Sequence, residues 1–504
     1  MKTVNLSGFL SKTKIKIALL LTASILAMTS CQNESDNKTP TISVTGISLE
    51  KDSLILTIYA SRQLKLTFEP SDATNKQVIW TSSNPNVASV SDDGTVTALN
   101  YTDATTGTGS ATITATTDDG GFTATCNVTA TMAAQENISA IPPLKDSFKN
   151  YFMMGNIFDP GDVPNTEPYT INKPYLTRHY NILTHQNTMK PVYLCGSAPG
   201  LYNDANIATA KRMIEAAHAQ NIKIQGHCLL WHSQLPTWQN NLRTSSDTRE
   251  QVLSYLKDYI TDIVTKFKGS IYAWDVLNEV FPDNVSAGDN WKDVMRSGSE
   301  GNPWYIKLGA DFVYEGFLAA RMADPDTVLY YNDYSLDNVG KATMVRNMVR
   351  DVNARYAQEY PQANGRKLIE GIGMQSHHNS SVSATAIKNT LTLFRALRVK
   401  ISISELDLLA QNWNDYDSQK AVTITGLFNQ ANQYGDYFKV FLDNADIIER
   451  VTFWGVSDAA SWRSRGQPLP FEGKREGFSL ILESIKAKPA YYKIIEALKL
   501  KQVK

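Results

Sequence analysis

Residues 248–280 read TREQVLSYLKDYITDIVTKFKGSIYAWDVLNEV. Val252, Leu256, Tyr259, Ile263 and Phe267 recur with the spacing that puts them on one face of a helix from Thr248 to Lys268. Tyr272 to Val280 then forms an apolar extended run whose end carries Asn278 and Glu279. Helix followed by buried strand is the texture of a parallel α/β architecture. Val328 to Asn332, Ile369 to Gln375, Val399 to Leu406 and Arg450 to Val456 also read as buried strands, with helical stretches between them. Eight strand positions result, near Phe152, Ile182, Ile224, Ala273, Leu329, Ile372, Ile403 and Phe453. They predict a (β/α)8 barrel over residues 144–504, with its chemistry at the C-terminal strand ends.

Upstream the composition changes. Residues 41–133 are rich in Thr, Ser, Val and Ile, in short alternating runs such as Val44 to Leu49, Leu64 to Phe68, Val78 to Thr81 and Ala111 to Ala115. Asp93-Gly94 and Asp119-Gly120-Gly121 mark turns. These signals predict a small all-β sandwich, with Trp80 as its buried tryptophan. Residues 134–143 read as a polar linker to the barrel.

Residues 1–30 read as a secretory signal: Lys2, Lys12, Lys14 and Lys16 precede an apolar stretch from Ile17 to Met28 that is too short to span a bilayer. Met28-Thr29-Ser30-Cys31 resembles a bacterial lipobox, so Cys31 is expected to be acylated, with residues 31–40 as a polar tether. The acidic tether points to a membrane-anchored lipoprotein on the outer membrane or surface of a Gram-negative bacterium. Cys126, Cys195 and Cys228 make neither a disulfide framework nor a metal-ligand spacing. Cys195 and Cys228 read most simply as free buried thiols, with a bridge left open by an oxidising compartment.

Composition narrows the function. Of 504 residues, 42% are hydrophobic and 20% charged, which supports a large core and excludes wholesale disorder. Lys and Arg number 49 against 50 Asp and Glu, so the basic excess of a nucleic-acid binder is missing. No apolar run reaches the ~20 residues of a membrane span.

Polar residues recur at the ends of the apolar runs, in i, i+2 pairs that share one face of a strand: Asn332 with Tyr334, Gln375 with His377, and Glu405 with Asp407. Asn278-Glu279 ends another strand, and His227 to Trp231 a third. Strand-end carboxylates with no cation nearby in sequence are costly to bury, so two of them ringed by Asn, Gln, His and Trp point to a functional site.

The motifs carry a family resemblance. Gly226-His227-Cys228-Leu229-Leu230-Trp231-His232-Ser233-Gln234-Leu235-Pro236, Trp274-Asp275-Val276-Leu277-Asn278-Glu279, Tyr330-Tyr331-Asn332-Asp333-Tyr334, Gly371-Ile372-Gly373-Met374-Gln375-Ser376-His377, Ile403-Ser404-Glu405-Leu406-Asp407 and Arg450-Val451-Thr452-Phe453-Trp454-Gly455 resemble glycoside hydrolase family 10, in family order. Gly46-Ile47-Ser48-Leu49, Thr81-Ser82-Ser83-Asn84, Val87-Ala88-Ser89-Val90 and Gly94-Thr95-Val96-Thr97-Ala98 resemble the group 2 bacterial Ig-like domain. The first resemblance implies a retaining endo-1,4-β-xylanase on a (β/α)8 barrel. It implies Glu279 as acid/base and Glu405 as nucleophile, supported by His377 and Asp407. It also implies sugar contacts from Asn187, Lys190, His227, Trp231, Gln234, Asn278, Tyr334, Gln375, Trp454 and Trp462.

Asp275 and Asn332 are read as supports behind these groups, and Trp238, Trp274 and Trp304 as packing. No cofactor or metal is implied, and the chain is expected to act as a monomer on xylan or xylo-oligosaccharides. Thr184-His185-Gln186-Asn187-Thr188-Met189-Lys190 departs from the family pattern, because Gln186 stands where Glu is usual and Pro191 where an aromatic is common. That puts the glycone subsites in question. Two alternatives stay open: the same chemistry on short oligosaccharides or aryl glycosides, or an inactive barrel on a glycan-binding lipoprotein. The Ig-like domain reads as a spacer, with glycan binding as its alternative.

Overall fold

The computed structural model describes residues 41–58, 60–99, 108–131, 136–477 and 479–503. The expected signal over 1–30, the acylation of Cys31 and the tether to residue 40 lie outside the described residues. The chain falls into two compact units, one within residues 41–131 and one from residue 136 onward.

The N-terminal unit is all β. A four-stranded sheet runs Ser53–Thr57, Thr123–Thr131, Thr108–Thr117, Val78–Ser82 in space, and a three-stranded sheet runs Ser61–Gln63, Thr95–Ala98, Ala88–Val90. Gly46–Leu49 pairs antiparallel with Leu66–Glu69. Period-two alternation turns Ala111, Ile113 and Ala115 inward and Thr112 and Thr114 outward. Leu54, Leu56, Val87, Val96, Ile113, Cys126 and Val128 form the core. Trp80 is half-buried at its margin, not central, because these smaller side chains already fill the interior. Its indole closes over Gly94, where φ is +80° and a Cβ would come within 2.6 Å of the ring, so the turn and the contact both require glycine.

The C-terminal unit is a closed barrel of eight parallel strands. They are β1 (Met153–Phe158), β2 (Ile182–His185), β3 (Lys223–Leu230), β4 (Ala273–Asn278), β5 (Val328–Asp333), β6 (Gly371–Met374), β7 (Lys400–Leu408) and β8 (Ile448–Phe453). Each pairs with its neighbours in chain order, β6 with β7, and β8 with β1 closes the ring. Every residue of β4 is buried, as a strand covered on both faces requires. The helix before it spans Arg249–Lys266, with Thr248 and Gln251 forming a capping box. Val252, Leu256, Tyr259 and Ile263 are buried on its inner face.

Two features depart from the sequence reading. A hairpin, Phe471–Glu476 with Ser479–Ala487, follows β8. Residues 136–143, expected as linker, are built into this unit: Ile138 donates its backbone N–H to Ile485 O at 2.9 Å, and Ile138 and Ile141 are buried. Their apolar side chains gain more from burial in the core than a solvated linker would give them.

Candidate active site

The C-terminal strand ends open into a cleft of about 660 Å³. Gln186, Asn187, Lys190, His227, Trp231 and Gln234, from β2, β3 and the loops after them, line one half. Asp283, Tyr334, Asp337, Asn379, Val382 and Trp413 line the other. Glu279, Gln375, His377, Glu405, Trp454 and Trp462 also face the cleft. Of the residues singled out by sequence, Asn278, Asn332, Asp275 and Asp407 are fully or almost fully buried beneath this surface. Cys126, Cys195 and Cys228 are free and buried.

Glu279 is the residue after β4 and has φ +55°, a left-handed conformation unusual for glutamate. Gln375 donates from Nε2 to its Oε1 at 2.8 Å, and Trp231 donates from Nε1 to its Oε2 at 2.9 Å. Burial raises its pKa above the ordinary glutamate value, and the negative charges of Asp333 and Glu405 add to this against those two donors.

Glu405 lies within β7 and is buried. Asn332 donates from Nδ2 to its Oε1 at 2.7 Å, and His377 Nε2 stands 3.2 Å from its Oε2. Burial pushes its pKa up, but the His377 hydrogen bond, the pull of His227 and His377, and the Asn332 donor outweigh it and leave it lowered. The other nitrogen of His377, Nδ1, is 3.0 Å from Asp407 Oδ2. Burial opposes charging this imidazole, yet Asp407 and Glu405 raise its pKa to about 9.

His377 reaches both carboxylates because the chain kinks. β6 ends at Met374, Ser376 takes φ 64°, and His377–His378 resume as a short strand beside Asp407–Leu408 of β7. Gly373 keeps the floor tight: a Cβ there would lie 2.2 Å from Asn332 Oδ1. Asn332 also donates to Asn278 Oδ1 at 2.9 Å, and Asn278 donates from Nδ2 to Glu279 Oε1 at 3.3 Å. A chain of amides therefore links the two glutamates.

The walls carry the remaining sequence candidates. Asp275 accepts from Gln225 Nε2 and holds His227 Nδ1, each at 2.8 Å. Lys190 donates to Asn187 Oδ1 at 3.0 Å and lies over the Trp231 ring. Trp454 packs edge-on to His227 and His377. Trp462 is 60% exposed, yet donates from Nε1 to Asp407 Oδ2 at 2.9 Å. Gln186 lines the cleft, whereas His185 is fully buried against Phe158, and burial lowers its pKa to about 3.

Several residues at the site escaped the sequence reading, Asp283, Asp337, Asn379 and Val382 on the cleft among them. The buried Arg463 guanidinium pairs with Asp407 and donates to His378 O, which gives the carboxylate behind His377 a cationic partner. Lys341, fully buried, pairs with Asp333 at 2.9 Å. Arg296 reaches Glu279 and Tyr334. Trp413, 44% exposed, adds an aromatic to the cleft. Only Arg463 had a sequence signal, its place beside Trp462. Among the described residues, no group of three or more His, Cys, Asp or Glu could hold a metal ion.

Comparison with known proteins gives two family matches: glycosyl hydrolase family 10 over residues 143–497, and bacterial Ig-like domain (group 2) over 43–128. Endo-1,4-beta-xylanase A of Thermotoga maritima is 31% identical over 362 residues, 70% of this chain and 31% of that protein. Endo-1,4-beta-xylanase A of Xylanibacter ruminicola is 29% identical over 375 residues, 70% of this chain and 93% of that protein. The chain spans about three tenths of the length of several curated relatives it matches. A crystal structure described as a bacterial Ig-like domain containing GH10 xylanase from termite gut matches 90% of this chain and 99% of its own. Its identity is 43% and its TM-score 0.70.

Proposed function

The chain belongs to glycosyl hydrolase family 10, and from this premise we propose that it is a retaining endo-1,4-β-xylanase acting on xylan or arabinoxylan. The observation that carries the reading is the pair of glutamates on one cleft with opposite acidities, Glu279 raised and Glu405 lowered. Similar proteins named endo-1,4-beta-xylanase support the substrate class.

Glu279 donates its proton to the glycosidic oxygen while Glu405 attacks the anomeric carbon, breaking the bond and forming a glycosyl-enzyme. Glu279, now ionised, takes a proton from water as the water oxygen bonds the anomeric carbon and Glu405 departs. His377 keeps Glu405 ionised and aimed, and Asp407 holds His377. Asn278 serves the sugar 2-hydroxyl beside the nucleophile. His227, Trp231, Trp454 and Trp462 wall the subsite before the cleaved bond, with Gln375 and Tyr334 around the carboxylates. Asn187, Lys190 and Gln234 hold glycone sugars further out, where the uncharged Gln186 bears on chain-length preference; the same chemistry on short xylo-oligosaccharides or aryl glycosides is the alternative.

The further assignments rest on sequence. Cys31 is the lipid attachment site, and the anchor holds a monomer at the outer membrane surface. The Ig-like domain is a spacer that lifts the barrel away.

Product analysis on soluble arabinoxylan, with wild type beside Glu405→Ala, tests the reading. A ladder of xylo-oligosaccharides that vanishes in the variant supports it. Uncut arabinoxylan and uncut xylohexaose from wild type would overturn it. Cleavage of xylohexaose alone would select the oligosaccharide reading.

A further inference from the structure

The turn that carries Glu279 is held at every backbone polar group of Glu279 and Val280. Glu279 donates its N–H to Asn332 O at 2.9 Å, and Val280 donates its N–H to the Tyr331 hydroxyl at 3.3 Å. The two carbonyls are both taken by one residue. Arg296 donates from its backbone N–H to Val280 O at 2.8 Å and from Nε to Glu279 O at 3.0 Å. The φ of +55° at Glu279 needs such restraint, because a glutamate left free would relax out of the left-handed region.

The guanidinium does more than cap the turn. Its Nη2 donates to the Tyr334 hydroxyl, whose O–H donates to Asp283 Oδ2 at 3.2 Å. Both Tyr334 and Asp283 line the cleft. Arg296 therefore ties the backbone under the acid/base to Tyr334 and Asp283 on the cleft wall, with no hydrogen bond to the carboxyl of Glu279 or Glu405.

We infer that Arg296 is a positioning residue that fixes the direction of the Glu279 carboxyl toward the leaving-group oxygen. The inference rests on the acid/base role proposed for Glu279. Its signature is dependence on the leaving group. An alkoxide leaving group needs the proton, whereas 2,4-dinitrophenolate departs without one. A misaimed Glu279 should therefore slow only the first, and displacement of a general acid by about 1 Å costs on the order of 100-fold.

The experiment measures kcat/KM of wild type, Arg296→Ala, Arg296→Lys and Glu279→Ala on xylohexaose and on 2,4-dinitrophenyl β-xylobioside. The expected result for Arg296→Ala is a loss of about 100-fold on xylohexaose and little change on the aryl glycoside. Its kcat on the aryl glycoside falls, because the second step also uses Glu279, whereas added azide restores kcat only in Glu279→Ala, where the carboxylate is gone. Arg296→Lys recovers part of the xylohexaose loss and decides the matter if Arg296→Ala does not fold. Equal losses on both substrates, or loss on neither, would overturn the inference. Failure of Glu279→Ala to show the same split would instead sink the acid/base assignment.

Discussion

Glu279 and Glu405 are the same residue type on one cleft, and their surroundings differ in one respect. The carboxyl of Glu279 meets neutral donors, the Gln375 amide and the Trp231 indole, with Asp333 adding negative charge nearby. Glu405 meets an imidazole held charged by Asp407, which is itself paired with Arg463. Burial acts in the same direction on both carboxylates and cannot separate them. The His377 hydrogen bond and the pull of His227 and His377, with the Asn332 donor, outweigh that cost at Glu405, whereas the neutral donors of Glu279 offset only part of it.

The largest way to break this difference is to remove Arg463. Arg463→Met leaves Asp407 buried without its guanidinium, and loss of one partner of a buried pair is expected to cost about 3–5 kcal/mol of stability. Urea unfolding measures it, and the double variant with Asp407→Asn should recover much of the loss. A cost under about 1 kcal/mol would mean the pair behaves as a solvated one.

Next is the charge itself. His377→Gln keeps a donor near Glu405 but removes the cation, so the lowered pKa of Glu405 should rise. In the proposed mechanism Glu405 acts ionised, so the acid limb of the kcat/KM profile moves to higher pH and the basic limb stays. The rate at the optimum is expected to fall about 100-fold. An unmoved acid limb would remove His377 from the explanation.

The smallest effect sharpens the other side. Gln375→Met removes a donor that lowers the pKa of Glu279, so that pKa climbs further. In the proposed mechanism Glu279 acts protonated in the first step, so the basic limb moves to higher pH with the acid limb fixed. About a tenfold loss in rate accompanies it, the worth of one hydrogen bond to an ionisable group.

The barrel was readable because its strands are short, apolar and regularly interleaved with helices. The i, i+2 pair Glu405 and Asp407 was readable for the same reason, since both lie on β7 and His377 meets both. Gln375 and His377 shared a face only after a left-handed kink at Ser376, which no alternation rule announces. Arg463, Arg296 and Lys341 arrive from loops and a helix outside the barrel strands, where no period points at the site. A neutralising cation need not lie near its carboxylate in sequence, as Arg463 beside Asp407 shows. Ile138 pairs with Ile485 across almost the whole C-terminal unit, a contact no local pattern announces. Trp80 was placed too deep because its neighbours' small volumes set where a large ring can fit.

The most direct measurement is a carbon-13 NMR titration of the side-chain carboxyls, with signals assigned through Glu279→Gln and Glu405→Gln. The account expects Glu279 to titrate above the ordinary glutamate range and Glu405 below it. Coincident midpoints, or the reverse order, would contradict the division of roles between the two glutamates.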